Sequence, residues 1–275
     1  DGVAIAIEDH YKPRFAGDTL PRNHTGSVVA LADKLETLVG MFGIGNLPTG
    51  DKDPFALRRH ALGVIRILME SDFSLNLDTL LANAAKAFAG LLELWPEKEC
   101  SDFAANQAKL VDFIFERLAG SLREQGYRTQ EVDAVLALRP QRLGEVPKRL
   151  AAVRAFAALP EAPALAAANK RISNILKKAP EVDAHVSEIL LREAAEKALF
   201  AAMQSVVPLS QAQLAGGDYT AALQTLAALR APVDAFFDDV MVNAEQTDLR
   251  LNRQGLLKTL HDAMNRVADL SRLAA

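Results

Sequence analysis

Apolar residues recur every three or four positions through most of this 275-residue chain. That period belongs to α-helices that bury one face against a partner. Ala and Leu dominate, aromatics are only 6% of the residues, and such a composition favours helix over strand. The nearest approach to a β-branched alternation, Val3 to Ile7, is short and terminal. The fold class expected is therefore all-α, built as helical bundles.

Helices are predicted at 28–42, 54–70, 76–93, 101–123, 129–138 and 147–159, then at 164–178, 187–206, 218–229, 231–242 and 249–273. The Gly43-Ile44-Gly45 stretch ends the first of these. Asp53-Pro54 reads as an N-cap followed by proline at the first helical position. Within 54–70, Leu62, Ile65 and Met69 form one stripe, flanked by Leu57, Ala61, Val64 and Leu68. The 101–123 helix is apolar over more than half its circumference and is expected at the centre of its core. Gly216-Gly217-Asp218 reads as a break and an N-cap. Pro160-Glu161-Ala162-Pro163 is the best domain boundary by composition, and the part beyond it reads as an antiparallel bundle.

A hydrophobic fraction of 50% with 24% charged residues fits a globular protein and not a disordered one. A single cysteine, Cys100, excludes an internal disulfide framework and suits a reducing cytoplasm. No apolar run reaches the roughly 18–20 residues of a membrane span. Residue 1 is Asp and no signal-peptide pattern follows it, so the chain is expected to be a cut piece of something longer.

Net charge is −4, which at face value disfavours nucleic acid. The charge is uneven, however. Residues 139–178 hold Arg139, Arg142, Lys148, Arg149, Arg154, Lys170, Arg171, Lys177 and Lys178 against Glu145 and Glu161. That segment carries +7 and the remainder −11. It reads either as solvated helix faces or as a surface for RNA or another polyanion. Phe156 is its only aromatic, which favours backbone contact over base stacking there.

Catalytic patterns are weak. In GIGNLPTGDK, Gly45 and Gly50 have the spacing of a phosphate loop, but Asp51 intervenes before Lys52 and Asp53 follows. The five histidines are scattered, with no i, i+4 pair for zinc. No Ser-His-Asp pattern stands out, and Cys100 reads as a structural or free thiol.

Residues 29–68, VALADKLETLVGMFGIGNLPTGDKDPFALRRHALGVIRIL, closely resemble the beta subunit of bacterial tetrameric (alpha2beta2) glycyl-tRNA synthetase. LAAANKRISNILKK at 165–178 resembles the start of the helical anticodon-binding domain shared with arginyl-tRNA synthetases, and PVDAFFDDVMVNAEQTDLRLNRQGLLKTL at 232–260 resembles its closing helices. The similarity covers essentially the whole chain, as the C-terminal part of a longer subunit. It implies an HD-like end at 1–45, a helical body domain at 46–163 and a DALR-like anticodon-binding bundle at 164–275. ADKLE at 32–36 resembles the last motif of an HD-type metal set, so Asp33 is implied to be a relict ligand, with no metal bound here.

The resemblance implies tRNA recognition for the ligation of glycine to tRNA. It implies no catalytic site and no cofactor in this segment, ATP and Mg²⁺ serving the full enzyme. Glycine tRNA and the alpha subunit are the implied partners, in the cytoplasm, with no membrane. Charge and resemblance together nominate Arg139, Arg142, Lys148, Arg149, Lys170, Arg171, Asn174, Lys177, Arg250 and Arg253 for tRNA contact. The alternative is an assembly module that holds the alpha subunit with minor RNA contact.

Overall fold

A computed structural model describes residues 2–71, 73–94, 96–179 and 181–274. The side chains of residues 98–101, Cys100 among them, lie outside the described residues. The chain is 70% helical, with no strand among the described residues. It divides into two compact units, Asp1–Tyr127 with Arg139–Val146, and Arg128–Leu138 with Pro147–Ala275.

The first unit holds α1 (Gly2–Asp9), α2 (His24–Gly43), α3 (Leu57–Glu70), α4 (Leu77–Lys86), α5 (Ala89–Leu92) and α6 (Glu97–Glu124). Helix α2 packs against α1, α3, α4 and α6, and so stands at the centre of this core. Leu38 and Phe42 of α2 are fully buried, as are Leu57, Ile65, Leu77, Leu110, Ile114 and Leu118 elsewhere in the unit. Gly43 is required by packing. A Cβ there would fall 2.0 Å from the ring of Phe103.

Boundaries differ from the sequence reading, first at α3. Helix α3 starts at Leu57 because Ala56, at φ 52, is left-handed and cannot extend the helix back to Pro54. Asp53 caps it nonetheless, accepting from the amides of Leu57 (2.7 Å) and Arg58 (2.9 Å). On α3, Ile67 is buried, while Leu62 and Met69 are only half-buried. The loop between α1 and α2 is fastened by Asp9, fully buried, which accepts from Arg22 and pairs with Lys12 at 2.9 Å. The Arg22 hydrogen bond holds the Asp9 carboxyl well below the usual carboxylate range, against the opposing effect of burial.

The second unit holds α7 (Thr129–Leu136), α8 (Val146–Ala157), α9 (Ala162–Lys177), α10 (Ala194–Ala215), α11 (Tyr219–Leu226), α12 (Arg230–Asp239) and α13 (Thr247–Met264). Residues 187–193 are a 3₁₀ turn and extended backbone, so the helix expected from 187 begins at Ala194. It also runs through Pro208 to Ala215. Lateral bonds hold the turn after the proline: Ser210 Oγ donates to the Ala222 carbonyl and Thr225 Oγ1 to Gln213, both at 2.8 Å. Asp218 caps α11 through the Ala221 amide, as its position after two glycines predicts. Helix α13 ends at Met264, nine residues before the predicted end, and Asn265 Oδ1 then accepts from the Leu270 amide at 2.9 Å.

Glu131 joins α7 to α8. Its side chain is 2% exposed and accepts from Arg154 at 2.9 Å, from Arg128 Nε at 3.0 Å and from the Arg128 amide at 3.0 Å. Burial opposes its ionisation, but the Arg154 and Arg128 hydrogen bonds outweigh it and hold the carboxyl at about 2, below an ordinary 4.5. An acid depressed on folding contributes stability above its unfolded pKa and loses it as pH falls toward the folded one. Urea titrations are therefore expected to show stability declining from pH 5 to about 2. Glu131→Gln should flatten that decline, and an unchanged pH profile in the variant would sink the assignment.

Candidate nucleic-acid interface

Helix α9 buries Leu165, Ala166, Ala168, Asn169 and Ile172. The helical period then leaves two other strips exposed. One carries Lys170, Arg171, Asn174 and Lys178, and faces the first half of α13. The strips lie where they do because Asn169 of α9 exchanges reciprocal amide bonds with Asn265, at 2.8 and 3.0 Å.

Between these helices lies a cleft of about 700 Å³, lined by Ala167, Lys170, Arg171, Asn174, Ile175, Lys178, Ala179, Asn243, Arg250 and Gln254. Four cations and three side-chain amides meet there, and among the described residues no carboxylate lines it. The Arg171 guanidinium lies 4.2 Å from the ring centroid of Phe237, a stacking that fixes its plane. Arg250 Nη1 donates to the Ala244 carbonyl at 3.1 Å, which holds its side chain at the rim. Such a surface matches phosphate oxygens through its cations and base edges through its amides.

A second groove of about 460 Å³ lies on the other exposed strip of α9, with Ser173, Lys177, Lys258, His261 and Arg272 in its walls. Ser173 Oγ lies 3.0 Å from His261 Nε2. This is no hydrolase triad. Asp262 Oδ1 stands 3.7 Å from His261 Nδ1 and pairs with Lys258 at 2.6 Å, so the orienting hydrogen bond is missing.

The nominated residues thus separate. Lys170, Arg171, Asn174 and Arg250 come together in the cleft, and Lys177 lies in the second groove. Lys148 is exposed on α8. Arg149 is turned inward, donating to the carbonyls of Arg266 and Val267 at 2.9 Å and lying over Tyr219. Arg253 must be removed from the surface set. It is 5% exposed, bonded to Glu196 at 2.6 Å and to the Met241 carbonyl at 2.8 Å. Arg139 and Arg142 belong to the first unit. There Arg139 pairs with Asp112 over the Phe115 ring, and Arg142 lies 3.8 Å from Glu145.

Sequence reasoning missed Asn243 and Gln254, and counted Lys178 only as charge. The apolar period of α13 could have placed Gln254 near the core, but not in a cleft.

Asp33 is exposed beside a pocket of about 200 Å³ that also involves Lys34, Arg59 and His60. Lys34 is buried and donates to the carbonyls of His10 (3.2 Å) and Tyr11 (3.5 Å). Burial pushes its pKa down, and burial followed by the Lys34 charge does the same to His60. Among the described residues no group of three or more His, Cys, Asp or Glu could hold a metal, and no single helix is long and apolar enough to cross a membrane.

The second unit carries this basic, amide-bearing cleft, and residues 165–270 match the DALR anticodon binding domain. Residues 1–137 match the family described as glycyl-tRNA synthetase beta subunit. The chain belongs to the glycyl-tRNA synthetase beta subunit family. It is 74% identical over 274 residues to the glycine–tRNA ligase beta subunit of Polaromonas naphthalenivorans, 73% over 272 residues to that of Paracidovorax citrulli, and 66% over 274 residues to that of Dechloromonas aromatica. Each match covers 99% of this chain and 37% of the relative.

Proposed function

We propose that this chain is the tRNA-recognition portion of a glycine–tRNA ligase beta subunit, and that the α9–α13 cleft holds unpaired bases and phosphates of the anticodon loop of glycine tRNA. The observation that carries this reading is the convergence of Lys170, Arg171, Lys178 and Arg250 with three amides and, among the described residues, no acid, inside the region matching an anticodon binding domain. Helices α9 and α13 lie far apart in sequence, so a run of solvated charge does not account for their meeting.

The complete assembly, with an alpha subunit as partner and in the cytoplasm, ligates glycine to tRNA using ATP and Mg²⁺. This segment supplies recognition and no catalytic group. The 43–54 loop does not fit a nucleotide phosphate. Asp53 caps α3, and Thr49 and Lys52 close on each other through their backbones. No ATP-dependent step is assigned to these residues.

A titration of fluorescent glycine tRNA with the chain tests the reading. Affinity should exceed that for polyglutamate of equal charge. Log affinity should fall against log salt with a slope of about −3, from four cations at roughly 0.7 per phosphate on a single strand. Equal affinity for both polymers, or no salt dependence, would remove the proposal.

A further inference from the structure

Helix α13 is buried on all sides from Asn252 to Leu257. Three of those six residues are polar, and a buried polar side chain ordinarily has a hydrogen-bond partner. Asn252 has two, accepting from the Ser187 amide at 2.7 Å and donating to the Ser187 carbonyl at 3.1 Å. Arg253 has Glu196 and the Met241 carbonyl. Gln254 is 6% exposed, and its amide makes no hydrogen bond to any described residue. It lines the α9–α13 cleft.

The backbone that carries Gln254 is fixed on both sides. Arg253 anchors the preceding position in its ion pair with Glu196. Gly255 follows, packed so closely that a Cβ there would lie 2.3 Å from the His185 carbonyl oxygen. An amide carried on so fixed a backbone, without a bond to any described residue and walled by cations, is placed to exchange hydrogen bonds with a ligand. Asn174 and Asn243 also line the cleft, but both are exposed to solvent at its rim.

We infer that Gln254 is a specificity-determining residue that reads the hydrogen-bonding edge of one unstacked RNA base inserted into the cleft. This rests on the RNA-binding reading above and gives it a chemical selector. An amide presents one acceptor beside two donors. It therefore makes a bidentate contact with a base edge that offers one of each, and a well-formed contact of that kind discriminates by about tenfold or more. The surrounding Lys170, Arg171 and Arg250 contact phosphate and attract every sequence alike.

The experiment uses the full 275-residue chain and RNA hairpins with seven-nucleotide loops, carrying each of the four bases at each loop position. Affinities are read by fluorescence anisotropy. The wild type should show a spread of about tenfold between bases at one loop position. Gln254→Leu should abolish that spread at that position only and leave the salt slope intact. Gln254→Glu, nearly isosteric but an acceptor only, should reorder the bases toward guanine, whose edge offers adjacent donors.

A spread that survives in Gln254→Leu, or an unchanged base order in Gln254→Glu, overturns the inference while leaving RNA binding in place. Wild-type protein that binds no hairpin overturns the RNA-binding reading itself. Should Gln254→Leu fail to fold, judged by its thermal melt, the base order in Gln254→Glu decides the question.

Discussion

Arg253→Ala should destabilise the second unit by about 3–5 kcal/mol, the usual penalty for removing one partner of a buried ion pair. The guanidinium sits 2.6 Å from Glu196, whose side chain is fully buried, and 3.8 Å from Glu193. Without it the Glu196 carboxylate keeps only the amide donors of Arg192 and Glu193, both at 2.7 Å. Those satisfy hydrogen bonding but carry no neutralising charge. The bond to the Met241 carbonyl, which ties α13 to the end of α12, disappears as well. Urea denaturation followed by circular dichroism measures the change. A loss under about 0.5 kcal/mol, the range of ordinary surface substitutions, would show that the pair is not buried in solution. RNA affinity of the folded variant should stay within about tenfold of wild type, because Arg253 faces the core and bears on the cleft only through the backbone of Gln254.

The opposite signature is expected from Lys170→Glu combined with Arg171→Glu. Both side chains are exposed, so the folded state should lose only about 0.5–1 kcal/mol, the contribution of Arg171 stacked on Phe237. RNA affinity should fall by about a hundredfold or more at low salt, since two attractive interactions become repulsive. The salt slope should drop by about 1.4, near 0.7 for each single-strand phosphate that is no longer neutralised. Base preference among loop variants should persist, because a selector and a charge attractor act on different terms. Unchanged affinity in the double variant would place the RNA elsewhere on the molecule.

Helical period alone located most of the helices, since each one that reaches the core must repeat its apolar face. Departures came where tertiary contacts overrode local signals. Pro208 does not stop α10, because the turn beyond it is bonded sideways to α11. Pro54 does not open α3, because Ala56 turns left-handed between them. Neither effect has a local sequence mark.

The site was legible as a region and not as a set of residues. Counting charge along 139–178 located α9. It treated Arg149 and Lys170 alike, although the first is bonded to carbonyls of its own fold and the second lines the cleft. Arg250 and Arg253 share one helix and one motif, yet one reaches the rim and the other is buried. Only the phase of α13 against its neighbours separates them. For Gln254 the apolar period of α13 marked a place near the core, and nothing in the sequence marked its opening onto a cleft.

The reciprocal amide pair between Asn169 and Asn265 has a bearing on who adapts to whom. Asn169 is fully buried, and Asn265 also donates to the His261 carbonyl at 2.7 Å. Parting the two helices at that end would break both amide bonds at once, which resists widening of the gap. A flexible loop entering a gap that resists widening must itself do most of the bending and unstacking. The entropic cost of recognition then falls on the nucleic acid, and loops that are already splayed in solution should associate fastest.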